Sequence, residues 1–278
     1  MDIVYFERME NQFLQDLQGH DRLDGKFHDA RGSQSEQTSY LKQSLSEGVD
    51  FIMTVPIRAE AVAPVVDLAR ENDVPFICVD RNVTSADPTA YIASDNARLG
   101  QQSVDLLYDF MTDTEEKDQY NIIEIQGAEG ASVTDERHRG VSEAVGENRV
   151  DLLESRSGSF STSDGADIAS DLIEEYGGRI DGIYAHNDLM ALGAHRAVSK
   201  SRLTDVPITG IDGSKEWVEQ FDDECHYGTV AQLPEKMVRT AIDCGLRAVD
   251  GETVQDYCQV EGLPVTRGNA DKYLGRYF

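Results

Sequence analysis

An acid and a base stand side by side where the apolar run VPFICVDRN ends, at Asp80 and Arg81. Phe76, Ile77, Cys78 and Val79 in unbroken succession suit a strand covered on both faces, as in a parallel sheet between helices. The carboxyl end of such a strand is where open α/β sheets bind ligands, and a carboxylate beside a guanidinium offers acceptors and planar donors together. A surface turn with an incidental ion pair is the competing reading. Comparable positions recur downstream. Asn187 follows the run IYAH, Asp212 ends the run ITGID, and Arg137 of TDERHRG and Gln232 of TVAQLP add a base and an amide. The set is polar throughout and contains no convincing nucleophile or general base. It suits binding: a ligand rich in hydroxyls needs acceptors and donors in fixed directions, because an OH bonded at one end only is left unsatisfied in a dry cleft. No metal cluster, nucleophile–base pair or phosphate loop is legible, so the sequence predicts neither an enzyme nor a cofactor or metal.

These residues need a scaffold that brings strand ends to one edge. Strand-like and helix-like segments alternate along the chain, the grammar of βα units and a mostly parallel sheet. The first block reads DIVYF strand, NQFLQDLQ helix, KFHDA strand, QTSYLKQSLSEG helix, DFIMTVP strand, AVAPVVDLAREN helix, then the opening strand and AYIAS. Asp95 or Asn96 then caps a long helix and the grammar repeats through NIIEIQG, TDERHRGVSEAVGE, DLLESRSG, GADIASDLIEEYG, DGIYAHN, DLMALGAHRAVSK, VPITGIDG and KEWVEQFDD. The tail beyond HYGTVAQLP is too short for a third domain. The expected architecture is therefore two similar doubly wound parallel-sheet lobes joined by a multi-strand hinge, residues 1–94 with 233–259 and residues 95–232 with 260–278.

The 278 residues carry 52 acids against 25 bases, a formal net charge of -27. That balance excludes nucleic acid and anionic membrane surfaces as partners. The acids are dispersed through amphipathic sequence, so they read as a solvated coat, and a lysine-poor acidic coat of this kind is expected of a protein adapted to high salt. No apolar run is long enough to span a bilayer, and MDIVYFERMENQ has no basic-then-apolar leader pattern; the expectation is an extracytoplasmic protein whose leader is absent from this chain. Four cysteines, Cys78, Cys225, Cys244 and Cys258, lack CxxC spacing; Cys78 reads as a buried hydrophobe, and a disulfide among the others is possible but unforced.

Seven segments in order, EGVDFIMTVP, VPFICVDR, IASDNARLG, IQGAEGASVTDERHRG, IDGIYAHNDLMALGA, TGIDG and GTVAQLP, resemble the type I periplasmic sugar-binding proteins of ABC transporters, the group that includes ribose-, galactose- and xylose-binding proteins. The resemblance implies that Asp80 and Arg81 hold sugar hydroxyls from the first lobe, Arg137, Asn187 and Asp212 from the second, and Gln232 from the hinge. It also places Asn11 at a polar position before the first helix and Phe13 and Phe160 at sugar-stacking positions, with plain core packing as the alternative for both rings. The pattern departs at Val55, Ile211 and Leu14, which remove an amide and aromatic area and put ribose itself in doubt. Between Asn11 and Gln37 the chain is shorter than the family by roughly two helical turns. The implied function is capture of a pentose or hexose in an interlobe cleft and delivery to an ABC permease, by a chain expected to be a monomer. The alternatives are the effector-binding core of a lactose-repressor-type regulator, for which no helix-turn-helix is legible, and a receptor for a sugar-like signal. His186 is expected either in the cleft or on its rim, Trp217 in helix–sheet packing or at the cleft edge, and Asp135, Glu136 and Arg139 on a solvated helix face.

Overall fold

The computed structural model describes residues 3–83, 85–147, 150–203, 205–222 and 226–278; Cys225 lies outside the described residues. In chain order the elements are α1 (Ile3–Gly19), α2 (Gln34–Glu47), β1 (Ile52–Thr54), α3 (Ala59–Glu71), β2 (Phe76–Val79), β3 (Ala90–Ala93), α4 (Asn96–Thr114), β4 (Tyr120–Gln126), α5 (Ser132–Glu147) and β5 (Val150–Ser157). They continue as α6 (Thr162–Tyr176), β6 (Gly182–Ala185), α7 (Asp188–Val198), β7 (Ile208–Asp212), α8 (Lys215–Val218), β8 (Tyr227–Ala231), α9 (Pro234–Val249), β9 (Tyr257–Gln259), β10 (Leu263–Thr266) and α10 (Ala270–Tyr277). Contacts sort the chain into two compact units, one of Tyr5–Ser94 with Leu233–Glu261 and one of Asp95–Gln232 with Gly262–Phe278, to which Met1–Val4 also sort, so the first unit begins at residue 5 and not at residue 1. The sequence reading drew its last boundary after residue 259. Val260 stays in the first unit because its amide donates to the Ala93 carbonyl and its side chain is buried in that unit's core.

The first unit is built on a parallel sheet in the order β1-β2-β3-β9. All four residues of β2 are buried, with Ile77 and Val79 in the cluster formed with α1 and α9, and Phe76 and Cys78 in the cluster formed with α3. Alternate residues of one strand thus serve two cores, which is why the run is apolar at every position.

Two expected strands are absent. Residues 3–6 of DIVYF enter α1 instead, because Tyr5, Arg8, Met9 and Gln12 form a buried stripe at helical spacing that outweighs the strand preference of a β-branched and aromatic run; Asp2 lies outside the described residues. KFHDA forms no strand: Lys26 to Asp29 are exposed, leaving no face to bury in a sheet, and His28 instead stacks on Tyr40 with centroids 4.6 Å apart. Strand β1 is accordingly an end strand. The buried Gln37 of α2 bonds the chain as it leaves β1, its Nε2 donating to the Val55 carbonyl at 2.8 Å and its Oε1 accepting from the Ile57 amide at 3.0 Å.

The second unit has six strands in the order β10-β8-β7-β6-β4-β5, parallel except where β10 runs antiparallel to β8. One face packs against α6 and α7, the other against α4 and α5. Trp217 belongs to the first of these cores, fully buried, its Nε1 donating to the Gly228 carbonyl at 3.1 Å. Helices α4 and α5 touch backbone to backbone at Gly100 and Gly140, where an added Cβ would overlap the carbonyls of Arg137 and Ala97 respectively. That close crossing sets the start of α4 beside the middle of α5.

Candidate functional site

In the first unit, the chain turns sharply as β2 ends. Asp80 adopts a left-handed conformation (φ 62°), which a short polar side chain tolerates, while its amide still donates to the Ile92 carbonyl at 2.8 Å. The residue is 8 % exposed, and its carboxylate accepts a hydrogen bond from the Tyr5 hydroxyl at 3.0 Å. The other oxygen lies 3.7 Å from Nε of Arg81, and the Tyr91 hydroxyl donates to the Asp80 carbonyl at 3.1 Å. The Arg81 guanidinium in turn sits 5.9 Å from the centroid of the Phe6 ring. The acid–base pair is therefore a held constellation, with its carboxylate fixed by an aromatic hydroxyl.

Helix α1 contributes Tyr5 and Phe6 to this group, not Asn11 or Phe13. Asn11 lies inside α1 rather than before it, exposed, six residues beyond Tyr5 and so about 9 Å further along the axis. Phe13 is half-buried in the α1–α9 core, with the Phe27 ring 6.3 Å away and Gly25 against its tip.

In the second unit, Asp95 caps α4 by accepting from the Arg98 amide at 3.0 Å, which leaves the buried Asn96 for another use. Asn96 Oδ1 accepts from Nε of Arg137 at 3.0 Å, across the glycine-mediated crossing of α4 and α5. Arg137, only 4 % exposed, also donates through Nη1 to the His186 carbonyl, and its Nη2 lies 3.6 Å from Oδ1 of Asp212. Gln232 closes the group: its Nε2 donates to the same Asp212 oxygen at 2.9 Å and its backbone amide donates to the Asp212 carbonyl at 3.2 Å.

Asp212 and Gly213 both have positive φ, 121° and 73°. Their turn is pinned from below, where Asp188 accepts from the Ser214 amide at 2.6 Å and from the Thr229 hydroxyl at 2.7 Å, and from the side, where Tyr273 donates to the Gly213 carbonyl at 2.7 Å. Asn187 is buried and caps α7, its Oδ1 accepting from the Met190 amide at 3.0 Å. Phe160 is half-buried against the α6–α7 core, its ring lying over Gly127 so closely that a Cβ there would overlap it. The structure thus brings Arg137, Asp212 and Gln232 together with Asn96, and holds Asn187 one residue from the carbonyl that Arg137 grips.

His186 is neither in a cleft nor on a rim. It is fully buried, its Nε2 2.8 Å from Oε1 of Glu124, a strand residue with 0 % exposure. The other Glu124 oxygen meets Nδ1 of His138 at 2.8 Å, the Ser155 hydroxyl at 2.5 Å and the Gln126 amide at 3.2 Å. Burial alone would raise the Glu124 carboxyl, but the hydrogen bonds from His186 and Ser155 and the field of the two histidines bring it down to about 2. Burial pushes His186 the other way, below its ordinary value, and its Nδ1 is buried with no hydrogen-bond partner among the described residues. Glu136 also departs from expectation: it is half-buried, and burial raises its carboxyl above the ordinary range despite a hydrogen bond from Asn96.

Sequence reasoning missed Tyr5, Phe6, Asn96 and Glu124. Glu124 carried a signal, as the one charge inside the apolar run of NIIEIQG. Among the described residues no group of three or more His, Cys, Asp or Glu side chains is arranged to hold a metal, and no helix is long and apolar enough to cross a membrane.

Residues 1–253 match the family described as a periplasmic binding protein domain. The chain belongs to the periplasmic binding protein family. Members of this family are extracytoplasmic, and curated relatives of this chain, such as the ribose import binding proteins, are sugar-binding transport proteins, not enzymes. The ribose import binding protein of Salmonella typhimurium is 27 % identical over 227 residues, covering 82 % of this chain and 75 % of that protein. The galactofuranose-binding protein of Escherichia coli is 30 % identical over 197 residues, covering 68 % and 61 %. Among solved structures, the arabinose transporter's periplasmic binding protein from Shewanella sp. ANA-3, bound to L-arabinofuranose, superposes with a TM-score of 0.83 at 25 % identity, covering 98 % of this chain and 90 % of its own. A solute-binding protein from Actinobacillus succinogenes with bound D-allose shares the fold at a TM-score of 0.87 and 22 % identity, covering 98 % and 96 %.

Proposed function

We propose that this periplasmic binding protein captures a monosaccharide and delivers it to the membrane permease of an ABC transporter. The observation that carries the reading is the chemistry of its two constellations. Each sets a buried carboxylate beside an arginine, Asp80 with Arg81 and Asp212 with Arg137; hydrogen bonds hold Asp80, Asp212 and Arg137 in place, while the Arg81 guanidinium rests beside Asp80 and over the Phe6 ring. A neutral polyol offers OH groups that donate and accept at once, and a carboxylate–guanidinium pair answers both. In this reading Asp80 and Arg81 serve one part of the sugar, and Arg137, Asn187, Asp212 and Gln232 another, with Phe160 offering an apolar ring face to its CH side. Asn11 and Phe13 have no part in it.

The protein acts as a monomer, with its two units as the lobes, and its acidic coat is an adaptation to high salt. Pentoses and hexoses are the ligand class, and loss of the family's amide and aromatic positions at Val55, Ile211 and Leu14 argues for a sugar other than ribose. Thermal-shift screening of pentoses, hexoses and polyols in molar salt tests the reading. A sugar present at 100 times its Kd adds about 2.7 kcal/mol to stability, a clear rise in Tm. A flat response across the whole panel overturns it.

A further inference from the structure

We infer that Cys244 and Cys258 form a disulfide that ties helix α9 to edge strand β9 when the protein meets an oxidising, disulfide-containing environment. Their sulfurs face each other at 3.8 Å, fourteen residues apart in sequence, both as free thiols. Cys244 is on the buried face of α9, in the core that α9 shares with α1 and the sheet, and Cys258 packs against that same core from the middle of β9. Cys78 belongs to the opposite face of the sheet, in the α3 core, and is sealed from solvent. The facing pair is therefore Cys244 with Cys258.

A native disulfide needs its sulfurs about 2 Å apart, so this pair must close by somewhat under 2 Å. The strand side can supply that movement. β9 is three residues long, is bonded to β3 alone, and is the last strand before the chain passes to the second unit at Glu261. Cys258 is also the reachable partner, being half-buried where Cys244 is buried.

The chemistry is two thiol–disulfide exchanges. The Cys258 thiolate attacks one sulfur of a small disulfide such as oxidised glutathione, and the first glutathione thiolate leaves. The Cys244 thiolate then attacks the Cys258 sulfur of the mixed disulfide and expels the second. Two protein thiols lose two electrons and two protons, and one disulfide is reduced to two thiols. Burial, together with the neighbouring Cys258, holds the Cys244 thiol up at about 12, so the second exchange is the slower and accelerates as pH rises.

The linkage closes a short loop in the unfolded chain, so the oxidised protein should melt about 5–10 °C above the reduced one. The test equilibrates the full chain with oxidised glutathione, alkylates free thiols after unfolding, and maps peptides by mass spectrometry. The expected result is one linked peptide pair, Cys244 with Cys258, lighter than the reduced pair by two hydrogens, and a Tm difference between oxidised and reduced protein that Cys258→Ser abolishes. Alkylation of both cysteines, arrest at a glutathione adduct on Cys258, or a bridge from either to Cys225 overturns the inference. A correct linkage that leaves Tm unchanged overturns its bracing role.

Discussion

Replacing Glu124 with glutamine removes a negative charge from a site with no access to water while conserving its volume. The wild-type carboxyl falls from 4.5 to about 2 on folding, some 2.5 pH units, and at ~1.36 kcal/mol per unit the ionised group contributes about 3 kcal/mol at pH 7. The folded value lies below the unfolded one, so this stability is complete above the unfolded pKa and is lost as pH falls towards the folded one. By pH 3 less than half of it remains, and by pH 2 only a small remnant. His186 adds to the loss from a higher pH, because its folded pKa is depressed and acid favours the unfolded chain that can protonate it. In Glu124→Gln the amide presents NH₂ where Ser155, or His186, needs an acceptor, so no orientation satisfies all of them. Urea unfolding at fixed ionic strength from pH 7 to pH 3, read by fluorescence of Trp217 in the same unit, measures both effects. The variant is expected to be about 2–3 kcal/mol less stable at pH 7 and to have a flatter acid limb. A variant as stable as wild type, with the same acid limb, would refute an ionised Glu124 held by donors.

Asp80→Ala is expected to weaken sugar affinity 10- to 100-fold by titration calorimetry, since a charged group bonded to a hydroxyl contributes about 1.5–3 kcal/mol, and Arg81→Lys should also weaken it because an ammonium cannot span two oxygens. Unchanged affinity in both would leave the pair a structural turn. Gly140→Ala drives a methyl into the Ala97 carbonyl, so unfolding free energy should fall by about 1–3 kcal/mol and sugar affinity should fall with it as Asn96 moves from Arg137; wild-type values for both would mean that the crossing yields freely. Transfer from molar salt to about 0.01 M lengthens the screening distance from about 3 to 30 Å, so Tm should drop if the coat is tuned to high salt, and a constant Tm would count against that adaptation.

What could be read in advance depended on how local the deciding physics was. The four residues of β2 announced two-sided burial by composition, and the positions of Asp80 and Asp212 followed from where apolar runs stop. The start of α1 was misread because the run from Ile3 to Phe6 has strand-like residues, while the burial of Tyr5, Arg8 and Met9 depends on the face that α9 presents. Asp95 and Asn96 are equally good caps in sequence; that Asn96 instead meets Arg137 depends on a helix crossing forty residues away. His186 was unreadable for the same reason, since only a buried carboxylate on the neighbouring strand makes its interior position tolerable.

The amide of Gln37 has a consequence for how molecules of this protein meet one another. An end strand presents unpaired backbone groups that can template a strand from another molecule, the first step of sheet-mediated aggregation. By occupying the Val55 carbonyl and the Ile57 amide, one side chain copies the paired donor and acceptor of an adjoining strand at the point where β1 leaves the sheet. β1 is only three residues long, with Pro56 two residues past its end, so little template is left for a neighbour to extend. The colloidal behaviour of a concentrated solution therefore rests partly on an uncharged amide, and that safeguard persists at salt concentrations where repulsion between acidic surfaces has been screened away.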